Sequence, residues 1–445
     1  MSSTDHRAAP DPQTGPGFPA GLWRTLERSR PPGLERLSRF HSPLRGPWLT
    51  SVFGLVLLIG LPVVIVTGLL DYLAYGPQFG QAIPAGVGPL QLPVFDWPTR
   101  PSWLFRLTQG LHVGLGLILI PVVLAKLWSV IPKLFAWPPA RSFAQVLERI
   151  SLLMLVGGLL FEIVTGLLNI QYDYVFGFSF YLAHFWGAWV FIAGFVVHVT
   201  LKFATMARSL RSRSLRTELR TPLARTVPEP LDGTGLVSRD PAPATMSRRG
   251  ALALVGGGMV FVAVLTAGQT VGGRTRDLAL LLPRGRNPGT GPNGFPINRT
   301  AAAAGITAAA TGPGWRLRLT GGPQAVQFDR VALSAMARHT ATLPIACVEG
   351  WSTTQNWTGV RLRDLAALAG VPAPASAFVR SLEQGPFAQA TLTSGQVLDP
   401  DSLLALQVDG ADLSPDHGYP ARVIVPALPG VHCTKWVRSI DFRSA

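Results

Sequence analysis

The stretch His184–His198, HFWGAWVFIAGFVVH, has a histidine at each end and no other ionisable side chain. On an α-helix, fourteen residues rise about 21 Å and bring the chain back to within about 40° of the same face. The two imidazoles therefore point the same way from two depths of one long helix. A run this apolar predicts a membrane span, and a histidine inside a span indicates a functional site by default.

The composition of the 445-residue chain is typical of a membrane protein. Hydrophobic residues make up 48% of it and charged residues 14%, a balance too apolar for an ordinary soluble protein. The net charge of +15 does not indicate nucleic acid, because the basic residues cluster beside apolar runs. We therefore expect membrane lipid, and not nucleic acid, as a partner. With only two cysteines, a disulfide framework and a cysteine-rich zinc or iron–sulfur site are excluded.

Five apolar runs are long enough to span a bilayer: Trp48–Leu70, Leu107–Ala125, Ile150–Ile170, about Phe178–Leu201, and Gly250–Gly273. Basic residues gather in the N-terminal arm, after the second run and over 202–249, whereas the segments 71–102 and 171–182 hold only Arg100. The positive-inside rule therefore predicts a cytoplasmic N-terminus and, after five spans, an extracytoplasmic C-terminal domain in a protein of the cytoplasmic membrane.

The predicted organisation has five parts. They are a basic cytoplasmic arm, a four-helix membrane domain, a cytoplasmic linker, a fifth transmembrane helix and an external domain, with the boundaries 1–45, 46–208, 209–246, 247–273 and 285–445. The linker segment Thr221–Ala244 is rich in Pro and Arg, which predicts a disordered connector.

The fifth span begins with Arg248 and Arg249, followed by a mild, Gly-rich hydrophobic stretch. This pattern resembles a twin-arginine export signal. The same pair could instead be two cations that obey the positive-inside rule before a plain anchor. A domain that must fold around a cofactor before export favours the first interpretation.

The histidines of the predicted bundle fall at two depths. His112 lies near the outer end of the second span, and His184 lies at a similar depth in the fourth. Two imidazoles at matched depth on neighbouring helices can hold one haem iron from both faces, so we predict that these two form a pair. His198 lies near the inner end of the fourth span, where its candidate partner is His41, at the inner mouth of the first.

A weak internal duplication bears on this assignment. The sequence VTGLL ends the first and third spans alike, at 66–70 and 164–168. Aligning the two hairpins places Lys126, and not a histidine, over His198. A fully duplicated four-histidine bundle is therefore excluded, and His41 is the remaining candidate.

This arrangement resembles the cytochrome b subunits of formate dehydrogenases and nickel–iron hydrogenases over roughly residues 36–208. The resemblance implies an all-α four-helix haem-binding bundle with two b-type haems, ligated by His41, His112, His184 and His198. The alternative is a set of histidines that only pack or form hydrogen bonds. Glu162, in the third span, could relay protons to a quinone or bond a haem propionate, or could be a neutral group bonded to a neighbouring helix.

The external domain is predicted to be a mixed α+β fold. Alternating residues indicate strands at Trp315–Leu319 and Arg422–Val425, and short helices are expected at Asp329–Ala337 and Val360–Ala369. On the residues alone, Cys347 could be a thiolate metal ligand near an anion site, or could form a disulfide with Cys433.

Three stretches carry a second resemblance: LPIACVEGWS at 343–352, DHGYPARVIVP at 416–426 and PGVHCTKWV at 429–437. In this order they resemble the sulfite oxidase family of molybdopterin enzymes, and most closely its exported protein-methionine-sulfoxide reductase branch. The resemblance implies that Cys347 ligates molybdenum and that the pterin and its phosphate are held by His417, Arg422, Thr434, Lys435 and, through an upstream loop, Asn298.

The two halves together predict one oxidoreductase that passes electrons between quinone, b haems, a molybdenum centre and an external small molecule. The acidic Glu349 and the aromatic Trp351 follow Cys347, where an anionic substrate would need cations, so a neutral S-oxide or N-oxide is expected. Glu349 could equally be turned away from the pocket to bond the backbone. Sulfite oxidation toward the quinone, a haem-bearing scaffold whose outer domain lacks cofactor, and a transporter or assembly protein without haem remain as alternatives.

Overall fold

A computed structural model describes residues 41–79, 83–92, 94–134, 143–171, 178–281, 293–385 and 388–444. The predicted N-terminal arm lies almost wholly outside this range. Within it, five helical segments are long and apolar enough to cross a membrane, as expected: Pro47–Phe79, Leu104–Leu134, Gln145–Ile170, Phe180–Arg211 and Arg248–Val271. Large apolar side chains lie exposed along them, such as Ile59, Leu153 and Leu254, as a lipid-facing surface requires.

The α-helices before the C-terminal domain are α1 (Pro47–Ala74), α2 (Leu104–Ile118), α3 (Ile120–Leu134), α4 (Phe143–Gln171), α5 (Phe180–Arg211), α6 (Leu215–Arg220), α7 (Arg248–Thr266) and α8 (Gly268–Val271), of which α6 lies in the linker and belongs to no span. The second span is interrupted at Leu119 because Pro121 has no N–H to donate to the preceding turn.

The chain divides into two compact units, and the helices of the spans contribute to both. One unit takes in the described residues up to Leu58 together with 121–162 and 186–257. The other contains 59–120, 163–185 and everything described from Gly258 onward, and so includes the whole C-terminal domain.

The linker lies in the first unit, and the prediction that it is disordered is wrong. The Glu229 carboxylate accepts a hydrogen bond from the Trp48 amide, 3.0 Å away, and thereby satisfies an N–H of the first turn of α1. Leu236 and Val237 are buried as well. The Pro- and Arg-rich composition indicated disorder. Composition does not reveal a contact such as that of the Glu229 carboxylate with the first turn of α1.

The C-terminal domain contains two five-stranded sheets. After a small hairpin, β1 (Gly86–Val87) and β2 (Leu90–Gln91), its strands are β3 (Leu317–Thr320), β4 (Val326–Phe328), β5 (His339–Ala346), β6 (Ser352–Arg361), β7 (Ser376–Ser381), β8 (Gln389–Thr393), β9 (Leu403–Val408), β10 (Ala411–Asp412), β11 (Arg422–Ile424) and β12 (Val437–Arg443). One sheet has the order β10-β9-β6-β5 with β11 beside β9, and the other has the order β4-β3-β12-β7-β8.

Short helices join the strands: α9 (Ala308–Thr311), α10 (Arg330–Ala335), α11 (Leu362–Leu368) and α12 (Ser394–Leu398). The predicted α+β class is confirmed, and both expected strands and both expected helices are present, with ends that differ by one or two residues. In α10, the Asp329 side chain caps the helix by accepting a hydrogen bond from the Ala332 amide at 2.8 Å. Alternating apolar residues of the sheets, such as Leu317, Leu319 and Ile440, are fully buried.

Candidate active site

Cys347 lies in the tight turn between the antiparallel strands β5 and β6. Its amide donates to the Trp351 carbonyl at 2.9 Å, and the Gly350 amide donates to its carbonyl at 2.9 Å. Gly350 has φ +88°, a conformation that favours glycine. Burial raises the pKa of the Cys347 thiol, and the nearby Glu349 raises it further. Without a bound cation this group is a thiol.

Two buried cations face the same cavity as Cys347. Arg422, the first residue of β11, donates to the carbonyls of Cys433 (3.1 Å) and His417 (3.4 Å). Burial lowers the pKa of Arg422 to about 10, so it keeps its charge at neutral pH. Lys435 donates to Asn298 Oδ1 (3.1 Å) and to the carbonyls of Arg299 (2.6 Å) and Asp416 (3.1 Å).

Burial, followed by repulsion from Arg422, lowers the pKa of Lys435 to about 7. The hydrogen bonds described for both cations end on neutral oxygens. A buried cation is costly unless an anion compensates it, so this arrangement favours an anionic ligand in the cavity.

His417 positions a neighbouring loop. Its Nε2 lies 3.1 Å from the Phe295 carbonyl and its Nδ1 lies 2.8 Å from the Ser414 hydroxyl. Burial, with Arg422 nearby, lowers the pKa of His417 to about 4, so the ring is neutral. It therefore holds the loop that presents Asn298, and the Phe295 ring packs against it, tilted by 48°, with 3.8 Å between ring centroids.

Thr434 and Cys433 belong to the loop that precedes Lys435. The Thr434 carbonyl accepts from the Val423 amide at 2.9 Å, and this bond fixes the loop against β11. Cys433 is buried with its Sγ 3.9 Å from the Val425 carbonyl. Both cysteines are free thiols.

All three predicted stretches and the upstream loop converge on one cavity. It is lined by Pro296, Ile297, Asn298, Ile345, Cys347, Trp351, Asp416, His417, Arg422, Gly430 and Lys435. Glu349 is absent from this lining: its carboxylate accepts a hydrogen bond from Trp351 Nε1 at 2.9 Å. Of the two orientations that the sequence leaves open for Glu349, the structure has the one in which its carboxylate does not line the cavity, whereas Trp351 does form part of the wall.

Residues 304–445 match the family model described as "Oxidoreductase molybdopterin binding domain". The uncharacterized oxidoreductase YuiH of Bacillus subtilis is 36% identical over 132 residues, which cover 29% of this chain and 65% of that one. Mouse mitochondrial sulfite oxidase is 28% identical over 159 residues, 29% of each chain. The C-terminal domain is therefore similar to the molybdopterin-binding oxidoreductase domains of the sulfite oxidase family.

The chain spans less than two thirds of the length of these relatives. Among solved structures, the sulfane dehydrogenase SoxCD of Paracoccus pantotrophus is 25% identical over 30% of this chain and 39% of its own, with a TM-score of 0.28.

The residues present fit such a cofactor. A phosphate would satisfy Arg422 and Lys435 together, and a metal cation beside Cys347 would favour the thiolate that burial otherwise opposes. Gly418, with φ +113°, also supports the fit, because a Cβ there would lie 3.1 Å from Lys435 Cγ and 3.2 Å from Arg422 Cβ. The turn thus brings both cations close to the backbone.

A second set of candidate residues lies in the same compact unit. The His112 and His184 rings are 6.0 Å apart between centroids and perpendicular to one another. His112 Nδ1 is 3.0 Å from the Val64 carbonyl, and His184 Nδ1 is 2.9 Å from the Thr165 hydroxyl. The predicted pair therefore does come together.

The two copies of the VTGLL sequence pack against these rings. A Cβ at Gly68 would lie 2.7 Å from His112 Cε1, and one at Gly166 would lie 3.4 Å from His184 Cε1. Each copy of the repeat therefore packs its glycine against one imidazole. The sequence identified the repeat but not this purpose.

The remaining predicted residues lie in the other unit. His41 is partly exposed, with its Nδ1 2.6 Å from the Asp240 carbonyl. His198 lies within electrostatic range of Lys126, Lys202 and Glu148. Lys126 Nζ donates to the Thr50 carbonyl at 2.7 Å, and the Glu162 carboxyl lies against Gly187.

Sequence reasoning missed Phe295 and Asp416. The Phe295 ring packs against the His417 ring. Asp416 Oδ1 accepts a hydrogen bond from the Ala301 amide at 2.8 Å. The Pro and Gly residues around Phe295 and the position of Asp416 beside His417 were the available signals, but neither side chain has a chemistry that distinguishes it from an ordinary loop residue.

Proposed function

We propose that this protein is a membrane-bound oxidoreductase that passes electrons between quinone in the bilayer, b-type haem and a molybdenum centre at Cys347, which acts on a small external S-oxide or N-oxide. One observation carries the proposal: a single compact unit contains both the Cys347 cavity and the His112–His184 pair. A two-electron centre needs a partner that supplies or removes electrons, and a haem in the adjoining helices would be such a partner.

The geometry of the histidine pair supports haem ligation. A metal ion between two imidazole nitrogens, each about 2 Å away, separates the ring centroids by about 6 Å. The observed separation is 6.0 Å. Ligating histidines are usually hydrogen bonded through the second ring nitrogen, and both Nδ1 atoms have such partners here. An inner haem between His41 and His198 stays a prediction.

In the C-terminal domain, the chain's own residues would bind and orient the cofactor. Cys347 would supply the protein thiolate, Arg422 and Lys435 would hold the phosphate, and Thr434 and Asn298 would fix the loops on either side. When bound, the molybdenum centre supplies two-electron oxygen-atom chemistry. Trp351 offers an apolar wall to the substrate, and its indole is held in place by Glu349.

The proposed setting follows from the charge pattern of the sequence. The N-terminus would be cytoplasmic, and the C-terminal domain would be exported folded, with Arg248 and Arg249 as the signal. Quinone would exchange with the bundle from the surrounding lipid.

Sulfite oxidation toward the quinone is a second candidate. The orientation of Glu349 is compatible with it, because the carboxylate does not line the cavity while Arg422 and Lys435 do. The same residues could therefore admit a small anion. A cofactor phosphate bound to both Arg422 and Lys435 would leave neither cation for sulfite, and for this reason the neutral oxide is the first candidate.

The proposal is tested by measuring molybdenum and haem in the purified full-length chain. We expect about one molybdenum per chain, by elemental analysis, and two haems with low-spin bis-histidine spectra. His184→Ala should remove the haem beside the C-terminal domain, and His41→Ala should remove the other. Haem without molybdenum would indicate the scaffold alternative, and a chain with neither would exclude the electron-transfer function.

A further inference from the structure

The loop that follows Cys347 is held by side chains from two membrane-type helical segments. Three consecutive carbonyls accept hydrogen bonds: that of Val348 from Gln109 Nε2 (2.8 Å), that of Glu349 from Gln269 Nε2 (2.5 Å) and that of Gly350 from the Thr270 hydroxyl (2.8 Å). Gln109 is in α2, and Gln269 and Thr270 are in α8. A loop whose successive carbonyls all have partners has little freedom to move.

Two arginines support this arrangement. Arg106, one turn before Gln109, donates to the carbonyls of Thr270 (3.0 Å) and Val271 (2.8 Å). Arg276 donates to the Ser352 carbonyl at 2.6 Å. The end of α8 is therefore tied to α2, and the segment that follows it is tied through Arg276 to the beginning of β6.

The loop also makes an apolar contact beside a histidine of the pair. A Cβ at Gly350 would lie 3.0 Å from Val113 Cγ1, so its backbone packs directly on that side chain. Val113 is the residue after His112. Because the Gly350 amide donates to the Cys347 carbonyl at 2.9 Å, one hydrogen bond and one van der Waals contact connect Cys347 to the segment that carries His112.

We propose that this loop, residues 348–352, is the electron-transfer junction between the molybdenum centre and the haem, and that Gln109 and Gln269 are the positioning residues that keep it closed. This inference rests on the proposed function. Each passage would oxidise a haem held by His112 and His184 from ferrous to ferric and would reduce a molybdenum centre held by Cys347 by one electron. Two passages and two protons from the medium convert one S-oxide to its sulfide and water, and quinol oxidation returns the two electrons to the haem.

The segment that precedes α2 also contacts the C-terminal domain, away from this loop. Arg100 forms ion pairs with Asp399 (3.4 Å) and Asp401 (2.5 Å). Arg100→Ala is therefore a matched control, since it removes a docking contact and leaves residues 348–352 untouched.

The test uses the full-length chain loaded with haem and molybdenum. The variants are the double change Gln109→Met and Gln269→Met, which keeps side-chain length but removes both donors, and Val113→Ala, which opens the apolar contact. Two rates are measured: reoxidation of reduced haem by an added S-oxide, and S-oxide reduction by reduced methyl viologen, which feeds the molybdenum centre directly.

We expect haem reoxidation to slow by roughly tenfold or more in the double variant, since each lost bond leaves a buried carbonyl without its donor. Viologen-driven turnover, haem content and molybdenum content should stay within about twofold of wild type. Hydrogen–deuterium exchange of amides 348–352 should increase in the double variant only.

Unchanged haem reoxidation in both variants, with normal wild-type behaviour, would overturn the junction. Equal loss of both rates would show a merely structural role, and so would a similar effect of Arg100→Ala. If wild-type haem responds to no substrate while viologen-driven turnover is normal, the proposed haem route itself fails and takes the junction with it.

Discussion

Cys347 and Cys433 are both buried free thiols, yet only Cys347 lines the cavity. We predict that Cys347→Ser abolishes viologen-driven turnover while the haem spectrum is unchanged. Cys433→Ser should keep most activity and lose about 1 kcal/mol of stability, because a hydroxyl can replace the weak bond of its Sγ to the Val425 carbonyl. Turnover and thermal unfolding of the two variants provide the measurement. An equal loss of turnover in both would indicate a shared site.

Gly418 offers a second test of the cavity. Gly418→Ala should destabilise the domain by about 1–3 kcal/mol through its φ of +113°. It should also lower molybdenum content, because the new Cβ crowds Lys435 and Arg422. Gly385→Ala is the matched control, since Gly385 has φ +123° but open space around it. Equal molybdenum content in the two variants would contradict the role assigned to the cations.

The meeting of these residues was predicted from the resemblance of three stretches to a known family, whereas the residue types alone indicated a thiolate near an anion site or a disulfide. The sequence did not predict the orientation of Glu349. The direction of that carboxylate depends on the Trp351 indole, a partner two residues away on the same turn. Local sequence permits either orientation, and only the folded turn selects one.

The glycines of the VTGLL repeat in the bundle helices can be tested by substitution. Gly68→Ala should displace the His112 ring and reduce haem content, since the added Cβ would lie 2.7 Å from Cε1. Gly166→Ala should be tolerated, because its Cβ would lie at an ordinary contact distance of 3.4 Å from His184. The reduced-minus-oxidised spectrum of each variant measures this. Identical haem content in Gly68→Ala and wild type would count against haem at this pair.

The start of α7 carries a prediction about export. Changing Arg248 and Arg249 together to Lys should leave the C-terminal domain protected from protease added outside. Arg248 is also buried, and it donates to the Val227 carbonyl at 2.8 Å and pairs with Glu218 at 3.4 Å. Glu218→Gln weakens that contact but keeps both arginines, so it should export normally. Loss of export in Glu218→Gln would assign the effect to packing.

The spans could be predicted because hydropathy alone determines whether a helix suits a bilayer. The ordered linker could not, since Glu229 and Arg248 stabilise it through partners that are distant in sequence. The same holds for Gln109 and Gln269. Within apolar runs they gave a polar signal, but their acceptors are carbonyls of a loop about 240 and 80 positions away.

At the scale of the whole molecule, one compact unit contains both the molybdopterin domain and the histidine pair. The proposed function requires that electrons pass between them. The most direct measurement is the absorbance of dithionite-reduced haem in the purified full-length chain after an added methionine sulfoxide, without oxygen. We predict that the haem is reoxidised in wild type and stays reduced in Cys347→Ser. Two results would be contradictory. If wild-type haem stays reduced with every S-oxide and N-oxide, but oxidised haem is rapidly reduced by sulfite, the proposed direction and substrate are wrong. If the haem responds to none of these compounds, the proposed electron transfer between haem and molybdenum is wrong.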